Sequence, residues 1–94
     1  MAFVRPVLRR LPDGTLCNVY PFHISYEGLE KAIICRDDTD CDNLVKCIAV
    51  CAHRKNVIII IYAVVSNHAH VAVLARKYSE AENYAYEIKR TYSP

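Results

Sequence analysis

Residues 57–65, Val-Ile-Ile-Ile-Ile-Tyr-Ala-Val-Val, form an unbroken apolar run rich in β-branched side chains. That pattern predicts a strand buried on both faces, and the run is far too short to cross a bilayer as a helix. Residues 68–75, His-Ala-His-Val-Ala-Val-Leu-Ala, predict a second strand, with Ser66 and Asn67 turning the chain between the two into a hairpin. Strand side chains alternate faces, so His68 and His70 are expected to point the same way.

Upstream, Pro6, Pro12 and Gly14 interrupt a polar stretch, and residues 1–14 read as an arm that ends in a turn at Pro12-Asp13-Gly14. Residues 15–25 predict a strand of imperfect alternation, with Pro21 marking an edge or a bulge. Residues 31–35 are a short apolar patch with no clear periodicity. In the next segment Leu44, Cys47, Ile48, Cys51 and Ala52 recur at helical spacing. Thr39 or Asp40 can cap that helix, His53, Arg54 and Lys55 suit its negative end, and Asn56 suits a left-handed stop. Ser79-Glu80-Ala81-Glu82 has the form of a capping box, and Ala81, Ala85, Ile88 and Tyr92 form the stripe of a second helix.

The resulting order, β-α-β-β-α, predicts an α/β (α+β) fold: a ferredoxin-like antiparallel sheet with two helices, its last strand absent or supplied elsewhere. Residues 15–94 form the one domain, and residues 1–14 precede it as the arm. In this topology the first strand lies beside the third, so His23 is expected to approach His68 and His70.

Composition narrows the class. The chain has 94 residues, 53% hydrophobic and 23% charged with only two glycines, which suits an ordered globular domain. The five cysteines are an odd number without a C-x-x-C pair, and no apolar leader precedes them. A reduced, cytoplasmic protein without a membrane segment is expected. Cys47 and Cys51 could chelate zinc from one helical turn, although free cysteines more commonly serve as small buried hydrophobes. A formal charge of +2 names no partner. Arg5, Arg9 and Arg10 near one end, and Arg76, Lys77, Lys89 and Arg90 near the other, would suit a phosphate backbone or a solvated rim.

Two imidazoles side by side on a stiff strand are placed to share a divalent cation. At Asn67-His68-Ala69-His70 the chain resembles the His-hydrophobe-His single-strand nucleases, specifically the IS200-like and REP-associated tyrosine transposases. Phe22-His23-Ile24-Ser25 is similar to that group's first-strand motif, residues 60–70 to its central hairpin, and Glu87-Ile88-Lys89-Arg90-Thr91-Tyr92 to part of the following helix. The similarity covers about residues 20–92. It implies that His68 and His70 hold Mg²⁺ or Mn²⁺, with His23 near the site, and that single-stranded or hairpin DNA is the substrate, cut through a phosphotyrosine. A homodimer is a further partner to consider, and Arg9, Arg10, Lys89 and Arg90 are the candidate DNA contacts.

In the resembling transposases the nucleophilic tyrosine and a third metal ligand lie on a later helix, past the matched segment. The expectation is therefore a chain that lacks them and is inactive in isolation. Glu27 also stands where many relatives carry a basic residue. Tyr86 is the internal candidate nucleophile, because Tyr86-Glu87-Ile88-Lys89 matches the Tyr-x-x-Lys of replication-initiator nucleases, whereas Tyr84 and Tyr92 border the apolar stripe and read as packing residues. Two other readings stay open: a catalytically inactive nucleic-acid-binding remnant, and a small α/β protein whose histidines are structural.

Overall fold

The computed structural model describes residues 5–27, 35–65 and 67–92. Its elements are β1 (Val7–Arg10), β2 (Leu16–Glu27), α1 (Asp38–Lys55), β3 (Ile58–Val64), β4 (His68–Ala75) and α2 (Tyr78–Thr91). The strands form one antiparallel sheet in the order β1-β2-β4-β3. The fold is α+β, and β2 lies beside β4 as the topology required. Within the segment read as an arm, residues 7–10 form the sheet's fourth strand. It pairs with β2 from Val7↔Val19 to Arg10↔Leu16. The patch at residues 31–34 and the turn residue Ser66 lie outside the described residues.

The central position belongs to β4, and its burial alternates along the whole strand: Ala69, Val71, Val73 and Ala75 are buried, and His68, His70, Ala72 and Leu74 are half-buried. The buried set faces both helices and packs with Ile24, Leu44, Ile48, Cys51, Tyr84 and Ile88. β3, expected to be buried on both faces, is instead an edge strand. Ile60 is 52% exposed, Ile61 66% and Tyr62 48%. A β-branched run favours a strand but does not say where in a sheet the strand lies. A register shift between Ile59 and Ile61 further bends this edge.

α1 begins two or three residues earlier than a cap at Thr39 or Asp40 would have it. Asp37 is extended, and its side chain accepts from the Asp40 N–H at 2.9 Å. Asn56 ends the helix in the left-handed conformation, φ 60° and ψ 44°, as its sequence position implied. Asn56 also exchanges two hydrogen bonds with Asp13 in the β1–β2 turn, at 3.0 and 2.9 Å, tying that hairpin to the end of α1. For α2 the capping box does not form. Lys77 stands at the cap without a side-chain hydrogen bond, and Ser79 lies already inside the helix. Arg76 grips Glu80 across the first turn instead, at 2.7 Å.

The cysteines follow the packing alternative. Cys35, Cys47 and Cys51 are buried, and burial pushes the Cys35 thiol up to about 11 and the Cys47 thiol up to about 12. Cys47 Sγ and Cys51 Sγ lie 3.7 Å apart within that core, and Cys47 Sγ lies 4.0 Å from the Ile88 carbonyl. Tyr84 and Tyr92 are buried as expected for packing residues, and the Tyr84 hydroxyl donates to the Ile48 carbonyl at 2.9 Å.

Glu87 is the buried charged residue of the described core, 4% exposed. It accepts from Arg90 Nε at 2.8 Å and lies 3.7 Å from Lys55 Nζ, so it joins α2 to the end of α1. The Arg90 hydrogen bond and the nearby cations hold its carboxyl below the ordinary value. A depressed carboxylate contributes stability that is present above its unfolded pKa and is lost as pH falls through the folded pKa. Glu87→Gln is therefore expected to lower Tm at neutral pH, with the gap to wild type closing as the solution is acidified below the carboxylate range. A gap that stays constant with pH in thermal melts would refute that role.

Candidate metal centre and nucleic-acid surface

Both helices cover one face of the sheet, and the histidines stand on the other. His68 and His70 share that face through the two-residue period of β4, with ring centroids 5.0 Å apart and planes at 82°. The antiparallel register sets Ser25 directly opposite His70 and His23 opposite Ala72, one diagonal step away. His23 and His70 consequently stack, with centroids 5.0 Å apart and planes at 17°. His70 Nδ1 lies 3.1 Å from His23 Nε2 and 3.3 Å from Ser25 Oγ.

These contacts decide which nitrogens remain for a ligand. Asn67 Oδ1, which can only accept, lies 2.7 Å from His68 Nδ1. That contact favours the Nδ1–H tautomer and leaves Nε2 of His68 with its lone pair. If His70 donates from Nδ1 to His23, Nε2 of His70 is free in the same way. Metal-binding histidines are commonly oriented by such an outer hydrogen bond. The donor set thus fits a cation held by two imidazoles, its other positions left for water and substrate oxygen. Among the described residues, no group of three or more histidine, cysteine or acidic side chains is arranged to hold a metal. Mg²⁺ and Mn²⁺ prefer oxygen ligands, so a site of this kind would be weak.

The remaining candidates are dispersed. Tyr86 is 67% exposed on α2, which packs on the other face of the sheet, and it makes no hydrogen bond to a histidine among the described residues. Arg9 and Arg10 stand on β1, where their guanidinium groups donate to the Leu8 and Gly14 carbonyls at 2.8 Å each. Lys89 and Arg90 occupy the last turn of α2, and Arg90 is paired with Glu87. These four thus divide between an edge strand and the end of a helix.

Ser25 and Asn67, the polar partners of His70 and His68, were not singled out as site residues. Asn67 is adjacent to its histidine in sequence, a signal that could have found it. The Ser25 contact spans 45 positions and depends on strand register. No helix among the described residues is long and apolar enough to cross a membrane. Compared with family models, curated proteins and solved structures, the chain matches none.

Proposed function

We propose that this chain is a DNA-binding domain of the tyrosine-transposase type, which brings a phosphate of single-stranded or hairpin DNA to His68 and His70 in a reduced, cytoplasmic setting. The observation that carries this reading is the convergence of His23, His68 and His70 on the face of the sheet that no described helix covers. On that face an extended strand can lie flat with its phosphates toward the imidazoles. Nε2 of His68 and Nε2 of His70 would hold Mg²⁺ or Mn²⁺, which when bound stabilises charge on the scissile phosphate. Asn67 fixes the His68 ring, while His23 and Ser25 fix the His70 ring. Arg9, Arg10 and Lys89 would contact phosphates outside the centre, Arg90 being engaged with Glu87.

Fluorescence anisotropy with labelled hairpins carrying single-stranded flanks tests the reading. Affinity is expected to fall as salt rises, with a log–log slope of about −0.7 for each phosphate contact. Arg9→Ala combined with Arg10→Ala should flatten that slope. Affinity indifferent to salt would exclude a phosphate-backbone partner.

The assembly we propose is a homodimer joined along β3. That edge is uncharged across residues 57–65 and exposes Ile60, Ile61 and Tyr62 beside a border that pairs with no strand among the described residues. Antiparallel pairing with a second copy would bring each basic end, Arg54-Lys55, against the partner's uncharged end at Val64-Val65. Sedimentation should show a dimer that Ile61→Lys converts to monomer. A wild-type chain that stays monomeric at high concentration would refute this assembly.

A further inference from the structure

β1 covers only part of its neighbour. Its pairing with β2 stops at Val7↔Val19, whereas β2 pairs with β4 from Tyr20 to Glu27. Along residues 20–26 the outer border of β2 therefore faces no strand among the described residues. Beside that border, Phe22, His23, Ile24, Tyr78, Ala81, Glu82 and Ala85 line a cleft of about 200 Å³. Phe22 and Tyr78 meet edge to face with centroids 6.1 Å apart, and the Tyr78 side is 66% exposed.

We propose that this cleft receives one nucleobase of the DNA strand whose phosphate reaches the histidines, an inference that rests on the function proposed above. Three properties select a base. The exposed Tyr78 ring offers a stacking surface, which any base can use. The Glu82 carboxylate lies in the cleft lining, where it can meet the polar edge of a planar heterocycle. The size also suits one ring system, since an apolar cavity of about 150 Å³ accommodates benzene. His23 belongs both to the cleft lining and to the imidazole cluster, so a DNA strand that crosses the β2 border at this residue can present a base to the cleft on the helix face and a phosphate to the imidazoles on the other. An added peptide strand fits this border less well, because Pro21 has no N–H to give to a ladder. Glu82 can only accept hydrogen bonds when ionised, so bases with an exocyclic amine, adenine, cytosine and guanine, are favoured over thymine.

The test uses the full chain and labelled hairpins whose single-stranded flank carries one abasic residue, moved position by position. Wild type should lose about tenfold in affinity at one position, the lower range measured for a stacked base. Tyr78→Ala should bind the intact hairpin about tenfold more weakly and ignore the abasic residue at that position. Tyr78→Phe should match wild type, and Glu82→Gln should narrow the difference between adenine and thymine there. Because Tyr78 is exposed, unchanged thermal melts will show that the variants remain folded. Salt-sensitive binding that Tyr78→Ala leaves intact, or that no abasic position weakens, overturns the base site and leaves the proposed function standing. Loss of affinity at several consecutive abasic positions alike also overturns it, as does a competing effect of unrelated extended peptides. No hairpin binding by wild type overturns both.

Discussion

Titration of Mn²⁺ into the chain should give weak, saturable binding that disappears when His68→Ala and His70→Ala are combined. The two rings share one face with centroids 5.0 Å apart, and with Nδ1 of His68 against Asn67 and Nδ1 of His70 against His23, Nε2 is the atom each ring would turn to an ion. Each single replacement removes half of the protein's donor set, so little binding should survive in either. Asn67→Ala should weaken binding by about 10–100-fold without abolishing it, since the amide orients the His68 ring and does not touch the ion. Zn²⁺ should bind more tightly than Mn²⁺, because imidazole nitrogen suits it better and the Irving–Williams order favours it. Calorimetry in which the double variant binds Mn²⁺ as wild type does would remove the metal centre, and with it any metal-assisted step.

The largest loss of stability should follow Tyr84→Ala. Tyr84 is fully buried between α2 and α1, and its hydroxyl donates to the Ile48 carbonyl. Burial pushes its phenol well above the ordinary range, so the neutral, hydrogen-bonded form persists at all working pH values. Truncation removes the ring and leaves a cavity at the junction of both helices and the sheet, at a cost of about 3–5 kcal/mol by analogy with other buried aromatics. Domains of this kind have total stabilities of about 5–15 kcal/mol, so the variant should be near or past unfolding at 37 °C. Tyr84→Phe keeps the ring and should lose only about 1 kcal/mol. Urea denaturation that finds the alanine variant no worse than the phenylalanine variant would show that the helices do not depend on this ring.

Local pattern alone was enough for several features. The two-residue period of residues 68–75 set the bounds of β4 and put His68 and His70 on one face, because alternation is a property of any extended chain. Helical spacing identified Leu44, Cys47, Ile48, Cys51 and Ala52 as the buried stripe of α1, and Asn56 as its stop, because capping depends on the few residues at a helix end. The same logic assigned Tyr84 and Tyr92 to packing.

Other features were decided only when distant segments met. The run at residues 57–65 is apolar enough for a central strand, yet β4 took the centre and left β3 at the border, since strand order follows from which strands pair and not from the hydropathy of one. β1 could not be read from its polar, proline-flanked segment, because a strand this short is stabilised by the neighbour it pairs with. At α2 one local contact replaced another, since the Arg76–Glu80 ion pair, four residues apart, spans the first turn in place of a capping box. The candidate site divides along the same line. Its two histidines on one strand follow from sequence spacing, whereas the third imidazole, the Ser25 hydroxyl and the cleft at Tyr78 exist because antiparallel register brings β2 against β4 and α2 packs across their inner face.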